Sequence, residues 1–486
     1  MNPIHKRFNY QALISNVRDL ASSVTVRVPT FRGGVPVRPD KEKTQEMTIA
    51  DYMDPKEDLV YPLTDAYGNT FTALVAVGDK VQRDQIIAET EEGLPLYSSV
   101  SGTVKDIAVK LTAYADKVRS IVVENDHAYT TADRPFTPES YKELPEEEIR
   151  LRIRAAGIIE PTSKMFLDQM LQGAEASQIH TVLIDGAETE PQMSAAYRLM
   201  LEDSWRIVNG IRVLTKLFPK AEAVLCIADD KPKAIEVMGD YIDHEADHIR
   251  VEIVRCKYPQ HHPLMLAETV LHEEVSDVSD LLSHGILIIS VDTAIAISRA
   301  VTQGRPLQRC IVTLSGDCLE SPRNYRVRIG TSVKELVENG GVPVREAAKV
   351  ILGGPITGTV LQDLDVPITK STACILLMSE ESAHQMEESH CIRCGRCVDA
   401  CPMGLAPYFL EKLVTKRDWK RFESSGGMTC IECGACSFVC PARRKVGISV
   451  MKGKTMINER RDLKLRAEAE RYAEARFDST PEEDER

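Results

Sequence analysis

The sequence predicts a multidomain chain that combines α/β and α+β folds and ends in a cysteine-rich domain. Short apolar strands separated by turn dipeptides fill residues 72–123, and apolar strands alternate with helical stretches from residue 151 onward. Alternation of the second kind favours a largely parallel sheet. Near the carboxyl end, eight of the 13 cysteines form two runs of identical spacing. The length of 486 residues allows about three to four domains.

The composition is that of a globular protein, with 43% hydrophobic residues. A formal net charge of −13 argues against general binding to nucleic acid. The longest apolar stretch, residues 285–297, is too short to span a bilayer and contains Asp292. Residues 1–10 lack the apolar region of a signal peptide. We therefore expect a protein without a transmembrane segment.

The first predicted domain is built from short strands and turns. The dipeptides Gly78-Asp79 and Ser101-Gly102 are turn signals between alternating apolar residues. This pattern resembles the barrel-sandwich hybrid of biotinyl and lipoyl domains, which present a modifiable lysine at a central hairpin. Here that place reads Leu-Pro-Leu-Tyr, at residues 94–97. We therefore expect a structural module and not a swinging arm.

The middle of the chain predicts a Rossmann-like α/β domain followed by a small β-grasp module. The α/β strands are expected at 181–184, 223–227 and 285–291. In the β-grasp module, strands are expected at 310–315 and 324–329, and a helix at 331–338 begins at Thr331 or Ser332 as its cap. The expected order of domains is an N-terminal extension (1–50), the barrel-sandwich hybrid (51–131), the α/β domain (145–304), the β-grasp module (305–375), the cysteine-rich domain (384–450) and a charged, helical tail (451–486).

Both cysteine runs read C-x₂-C-x₂-C-x₃-C-P and are 28 residues apart, with a helix expected at about 408–419 between them. This is the spacing of bacterial two-cluster ferredoxins, in which the fourth cysteine of each run ligates the other cluster. The predicted ligands of one [4Fe–4S] cluster are Cys391, Cys394, Cys397 and Cys440. Those of the second are Cys430, Cys433, Cys436 and Cys401. Structural zinc is the alternative, although zinc sites usually pair two C-x₂-C knuckles over a longer gap.

This order of domains, ending in a dicluster ferredoxin domain, resembles the C subunit of the Rnf complex, and the match covers most of the chain. Beyond the cysteine runs, the matching segments are FRGGV (31–35), DGAETEP (185–191), YRLMLE (197–202), GD (316–317), RVRIGT (326–331), GGP (353–355) and LDVPITK (364–370). The resemblance implies that the β-grasp module is of the SLBB type. It also implies that the α/β domain is similar to the flavoprotein subunit of respiratory complex I, which has FMN, a nicotinamide site and iron–sulfur clusters.

Rnf complexes are membrane-bound ion pumps that exchange electrons between ferredoxin and NAD. The resemblance therefore implies a peripheral subunit on the cytoplasmic side of the membrane, which relays single electrons through two [4Fe–4S] clusters. The implied partners are other Rnf subunits and a ferredoxin-like or flavin-bearing redox protein. The alternatives are a soluble cluster-relay adaptor that has lost FMN and NADH chemistry, and a protein similar to cobalamin reductase.

The sequence departs from the family at the place where a flavin is expected. Family members carry a loop close to GxGGAGFPTxxK after an AGI segment, and its glycines let backbone N–H groups approach the flavin. Here AGI is followed by IEPTSK (159–164), so Glu160 places a negative charge where a phosphate is expected. This departure argues against the usual contact with FMN and leaves NAD(H) binding as an open alternative.

Two further features bear on the cofactor site. By resemblance, Glu188 and Glu190 are the candidate cofactor-binding residues, since their segment faces the flavin and nicotinamide in the related fold; the alternative is that they cap a helix or face water. The pair His261-His262 stands where the family usually has glycine and glutamate. A metal site is one interpretation of this pair, and a surface loop is the other.

Overall fold

The computed structural model describes residues 28–114, 116–174, 178–245, 248–384 and 387–477. It divides into two compact units, Met1–Phe31 with Pro36–Gln385, and Arg32–Val35 with Met386–Arg486. Our expectations for residues 1–10 and for the end of the tail, 478–486, lie outside the described residues. Within the described part of the chain, no helix is long and apolar enough to cross a bilayer.

The barrel-sandwich hybrid consists of two antiparallel sheets packed around one apolar core. It is preceded by α1 (Glu42–Glu46) and β1 (Ala50–Tyr52). Its strands are β2 (Leu59–Pro62), β3 (Thr72–Ala73), β4 (Lys80–Val81), β5 (Ile86–Glu89), β6 (Pro95–Tyr97), β7 (Gly102–Leu111) and β8 (Lys117–Asn125). The sheet orders are β2-β8-β7-β4 and β3-β5-β6. Leu94 and Leu96 are buried in this core, which agrees with a structural module.

The α/β domain contains a four-stranded parallel sheet in the order β13-β12-β11-β14. The elements of this domain are α2 (Glu146–Ala155), β9 (Ile159–Glu160), β10 (Met165–Phe166), α3 (Leu167–Gly173), β11 (Thr181–Gly186), α4 (Ala195–Glu202), α5 (Ser204–Leu217), β12 (Glu222–Ala228), α6 (Pro232–Glu245), β13 (Ile249–Val254), α7 (Pro263–Leu271), β14 (Ile286–Ser290) and α8 (Val291–Gln303). The three predicted strands are thus confirmed. The helices bury the sheet in the largest apolar core of the described residues.

The third domain is a six-stranded mixed sheet in the order β1-β16-β15-β19-β17-β18. Its elements are β15 (Arg309–Gly316), β16 (Arg323–Arg328), α9 (Val333–Leu336), β17 (Lys349–Leu352), β18 (Thr359–Val360), β19 (Cys374–Met378) and α10 (Glu380–Ala383). Strand β1 comes from before the barrel and pairs in parallel with β16. The two predicted strands are confirmed. Ser332 occupies the N-cap position of α9, as predicted. Its side chain, however, makes no hydrogen bond to the helix, so it does not cap the helix chemically.

The second unit holds the cysteine runs among short helices. They are α11 (Arg396–Asp399), α12 (Pro407–Thr415), α13 (Trp419–Ser424), α14 (Ala435–Phe438) and α15 (Val446–Phe477). The helix predicted at about 408–419 is confirmed over Pro407–Thr415, but it ends earlier than predicted, because Asp418 caps a new helix by accepting a hydrogen bond from Arg421 N. The helical tail is confirmed over the described residues, with Val450 and Ile457 buried in the core of this unit.

Close packing between α5 and α8 generates the first testable prediction. A Cβ atom added at Gly210 would lie 1.9 Å from the carbonyl oxygen of Ala294. Because overpacking of this kind forces the backbones apart, we expect Gly210→Ala to destabilise the α/β domain by about 1–3 kcal/mol. The measurement is the thermal unfolding midpoint of the full chain. The matched control is Gly173→Ala, whose new Cβ would lie 3.9 Å from its nearest neighbour. Equal midpoints for the two variants would contradict the prediction.

Candidate functional site

Two cavities in the second unit are each lined by four cysteines. The first has a volume of about 340 Å³ and is lined by Cys391, Cys394, Cys397 and Cys440. The second, of about 20 Å³, is lined by Cys401, Cys430, Cys433 and Cys436. The fourth cysteine of each run therefore lies with the first three cysteines of the other run. These are the two sets into which the spacing divides the cysteines.

The two loops that carry the cysteines repeat one backbone conformation. Arg393 and Glu432, each two residues after the first cysteine of its run, have φ values of +54° and +59°. Two residues further on, Gly395 and Gly434 have φ values of +79° and +71° and precede α11 and α14. Two left-handed residues in one short loop turn the chain sharply. The loop therefore wraps around its cavity before the short helix begins.

The donor set fits the predicted clusters. Four thiols per cavity are the ligand set of a [4Fe–4S] cluster. Burial raises the pKa of Cys433 and of Cys436 to about 12, so these thiols are protonated before they bind iron. A coordinating thiol loses its proton to the metal, so cluster loading releases protons. The two sites also differ in solvent access, because Cys391 and Cys394 are exposed whereas the cysteines of the second set are partly buried.

Residues from outside the cysteine runs hold both loops. Lys454 on α15 donates from Nζ to the carbonyl of Cys430 at 2.6 Å and pairs with Glu432 at 2.9 Å. Close to Cys440 in sequence, Arg444 forms a bidentate ion pair with Glu411 on α12, at 2.8 and 3.1 Å. Lys454 and Glu411 were not predicted from the sequence, because neither lies in a motif and only the folded helices bring them to the loops.

Residues 32–35 of the segment FRGGV, singled out by the resemblance, belong to the second unit. Gly34 N donates to the carbonyl of Ala400 at 3.0 Å. Gly33 has a φ of +74°, and a Cβ atom there would lie 2.7 Å from the carbonyl oxygen of Cys401. The glycines thus allow residues 32–35 to lie directly against the backbone of a predicted ligand of the second cluster.

In the first unit, residues 159–164 replace the glycine-rich loop of the family and are called the altered loop below. They lead from β9 into β10, and these two strands form a short hairpin. Glu160 in this loop is fully buried. Its carboxylate accepts hydrogen bonds from Thr162 N at 3.0 Å and from Ser290 N at 2.9 Å. Ser290 is the N-cap of α8, so the carboxylate lies at a helix N-terminus, where an anion is favoured. The chain's own side chain therefore fills an anion position at the carboxyl edge of the parallel sheet.

Glu188 and Glu190 are both engaged by backbone N–H groups of this chain. The Glu188 carboxylate accepts hydrogen bonds from Ala196 N at 2.7 Å and Tyr197 N at 3.3 Å, at the start of α4. Glu190 Oε1 accepts hydrogen bonds from Ile356 N at 2.9 Å and Thr357 N at 3.2 Å. Burial raises the pKa of both carboxyl groups. The sequence analysis left cofactor binding, helix capping and exposure to water as alternatives for these two residues. In the structure, Glu188 caps the start of α4.

Two buried lysines, which sequence analysis missed, contact the same segment. Lys41 donates from Nζ to the carbonyl of Glu188, and burial lowers the pKa of Lys41 to about 8. Lys231 donates to the carbonyl of Ala187 at 2.8 Å and pairs with Asp230 at 2.8 Å. Lys41 comes from the N-terminal extension, so a segment distant in sequence covers this edge of the sheet.

His261 and His262 lie in the turn before α7, and both are half-buried. Nδ1 of His261 shares a hydrogen bond of 2.7 Å with Thr189 Oγ1. Burial lowers the pKa of His261 to about 3, so the ring is neutral. His261 therefore supports the segment that carries Glu188 and Glu190.

The residues of the altered loop do not fit a flavin phosphate. The N–H group of Ser290 already donates a hydrogen bond to the Glu160 carboxylate. A second acidic residue, Asp185, lies near Glu160, and burial raises the pKa of Asp185 to about 7. Two like charges separated by about 4 Å repel by about 4 kcal/mol near a protein surface. A phosphate at this position would therefore have to displace Glu160 from its hydrogen bonds.

Known protein families match the four domains in turn. The matching models are the RnfC barrel sandwich hybrid domain (29–128), the Nuo51 FMN-binding domain (153–299), the SLBB domain (311–360) and the 4Fe-4S dicluster domain (390–445). The last match favours iron–sulfur clusters over the zinc alternative. Fold and site together define a multidomain electron-transfer protein with two [4Fe–4S] centres.

Relatives with a similar domain order are C subunits of ion-translocating complexes. The C subunit of the proton-translocating ferredoxin:NAD(+) oxidoreductase complex of Clostridium ljungdahlii is 34% identical, over 80% of this chain and 85% of that protein. The Na(+)-translocating counterpart of Acetobacterium woodii is 30% identical, over 89% of this chain and 98% of that protein. The chain belongs to the RnfC family.

Other similarities are more limited. The C subunit of the ion-translocating oxidoreductase complex of Pectobacterium carotovorum is 34% identical over 78% of this chain, which spans about half of that protein (51%). Among solved structures, an NAD+-reducing [NiFe]-hydrogenase aligns with a TM-score of 0.45 at 13% identity, over 72% of this chain and 70% of that chain.

The crossed cysteine sets lead to a prediction about two matched variants. If Cys440 belongs to the first site, Cys440→Ser will disturb that cluster and leave the second intact, whereas Cys401→Ser will do the reverse. We expect each variant to retain about half of the iron, because serine is a poor ligand for a [4Fe–4S] cluster. EPR spectra of the reduced proteins identify the remaining cluster. Loss of the same signal in both variants would contradict the crossed assignment.

The glycine contact at Cys401 leads to a third prediction. We expect Gly33→Ala to push residues 32–35 away from Cys401 and to make the second cluster labile, seen as faster loss of iron to a chelator. The control is Gly404→Ala, where φ is +63° but no atom lies within 4 Å of the new Cβ. Backbone strain alone would affect both variants equally, and equal rates of iron loss would therefore count against a role for the contact.

Proposed function

We propose that this chain is the electron-transfer C subunit of an Rnf-type membrane complex, relaying single electrons through two [4Fe–4S] clusters between a redox partner and the membrane subunits. The observation that carries the proposal is the pair of cavities, each lined by three cysteines of one run and the fourth of the other. When bound, the clusters supply one-electron transfer. Cys391, Cys394, Cys397 and Cys440 are the proposed ligands of the first cluster, and Cys430, Cys433, Cys436 and Cys401 those of the second.

The two sites differ in a way that suggests the order of the relay. Cys391 and Cys394 are exposed, and Ile392 between them is 66% exposed. An apolar side chain beside an exposed ligand is suited to contact with a redox partner. The first site is therefore the proposed point of exchange with a ferredoxin-like or flavin-bearing protein.

The proposed location is peripheral, at the cytoplasmic side of the membrane, with other Rnf subunits as partners. The C subunits of Clostridium ljungdahlii and Acetobacterium woodii support this proposal by their membership of ion-translocating complexes. The proposed domain boundaries are those given by the sequence, except that β1 joins the sheet of the third domain.

A second candidate function adds hydride exchange with NADH through FMN, and the match of residues 153–299 to an FMN-binding domain favours it. The buried Glu160 opposes it at the phosphate position. In this candidate, Glu188 and Glu190 would have to leave their backbone donors to contact a cofactor. We therefore rank the cluster relay first.

Iron and flavin content of one anaerobically purified sample tests both functions. We expect about eight irons per chain, for two [4Fe–4S] clusters, and much less than one FMN, because Glu160 holds the anion position. We also expect no sustained NADH oxidation with an artificial acceptor. Zinc in place of iron would refute the relay. Stoichiometric FMN with NADH turnover would instead establish the second candidate, and Glu160→Gln would then show whether the carboxylate weakens flavin binding.

A further inference from the structure

A cavity in the first unit, separate from the cysteine sites, is lined by an unusual number of arginines. It has a volume of about 140 Å³. Its arginines are Arg83, Arg299, Arg305, Arg309, Arg326 and Arg328. Three aspartates also line it, so the cations outnumber the anions two to one. The barrel, α8 and the strands β15 and β16 all contribute, so three domains converge on this arginine cavity.

Half of these arginines are held in place by the protein itself. Arg328 donates from Nε to the carbonyl of Met53 and from Nη1 to that of Ser99, both at 2.7 Å. Arg326 pairs with Asp51, and Arg83 donates to the hydroxyl of Thr131. These bonds fix the positions of the guanidinium groups before any ligand arrives. Such preorganisation reduces the entropy cost of binding.

Arg299 and Gln308, which also line the cavity, are less fully paired. The carboxylate of Asp203 is 3.9 Å from Arg299 Nη2 and also pairs with Arg206. Among the described residues, Arg299 Nε and Gln308 Nε2 are buried without a hydrogen-bond partner. Burial, and then the charge of Arg206, lowers the pKa of Arg299 to about 10, which still leaves it charged at neutral pH. Buried donors without partners cost free energy that a bound anion would recover.

The three aspartates offset only part of the charge of the six arginines. Burial raises the pKa of Asp292 to about 6 and also raises that of Asp84. Asp84 Oδ1 is one more buried atom without a partner, in the described residues. A protonated Asp84 would donate a hydrogen bond to an anion, and an ionised one would accept a hydrogen bond from a protonated oxyanion.

We propose that the arginine cavity binds a small phosphate-bearing anion, either inorganic or the phosphate end of a nucleotide. Guanidinium groups bind phosphate through paired N–H donors, which favours an oxyanion over a halide. The volume of about 140 Å³ is below the roughly 300–1,000 Å³ of pockets for drug-sized ligands. The site therefore suits one or two phosphate groups and not a whole cofactor. A bound anion would also link the three domains that line the cavity.

The test is calorimetric titration of the full, cluster-loaded chain with pyrophosphate, orthophosphate and ADP, at constant ionic strength set with chloride. We expect one saturable site for pyrophosphate. Tighter binding of ADP would identify a nucleotide as the source of the phosphate, and equal or weaker binding would identify an inorganic ligand. Either result supports the proposal. No saturable binding of any of the three anions would overturn it.

Variants assign the binding to this cavity. We expect Arg299→Gln and Arg305→Gln each to weaken pyrophosphate binding by roughly tenfold or more, because each removes charge-assisted hydrogen bonds. The matched control is Arg250→Gln, an arginine on β13 paired with Glu222 and Glu252 outside the cavity, whose loss leaves binding unchanged. Arg305 is exposed at the mouth of the cavity, so Arg305→Gln keeps the test valid if Arg299→Gln fails to fold. Equal affinity in Arg305→Gln and Arg250→Gln would overturn the assignment.

Discussion

The structure of the second unit depends on one constraint, that each set of four cysteines takes its last member from the other half of the unit. Cys440 has to reach the first loop, and Cys401 has to reach the second. The helices between the runs must therefore return the chain on itself. The break between α12 and α13 and the packing of α15 against α12 follow from this requirement. The lysine and arginine contacts around the loops then hold a geometry that the cysteines alone would not maintain.

The first unit is governed by a different requirement, the pairing of buried charge. At the carboxyl edge of the parallel sheet, an α/β fold offers backbone donors and helix N-termini to an anionic ligand. In this chain the carboxylates of Glu160 and Glu188 accept hydrogen bonds from such backbone donors. The amines of Lys41 and Lys231 donate to the carbonyls of residues 188 and 187. Buried charges are stable only when they are paired in this way. The site is thus filled by the protein's own groups, although the chain matches the FMN-binding domain as a family model.

The arginine cavity shows the opposite balance within the same unit. There the chain gathers cations from three domains, and Arg299 Nε is a buried donor without a hydrogen-bond partner in the described residues. In the altered loop, by contrast, both carboxylate oxygens of Glu160 accept hydrogen bonds, and buried polar groups in native proteins are usually paired in this way. The contrast between the two regions is the physical reason for assigning a ligand to the cavity and not to the altered loop.

The sequence by itself determined the domain order, the strands of the α/β and third domains, and the division of eight cysteines into two sets. These features rest on local spacing and on the alternation of apolar residues, which are visible along the chain. The helix predicted at about 408–419 ends at Thr415 for a local reason, because Asp418 caps a second helix. The tertiary structure alone decided the contact of Gly33 with Cys401, the pairing of β1 with β16, the bonds of Glu160 to Ser290 and of Glu190 to Ile356, and the convergence of six arginines. Each of these brings together segments that are far apart along the chain, and the pattern of a single sequence does not encode which distant backbone donor or charge a side chain will meet.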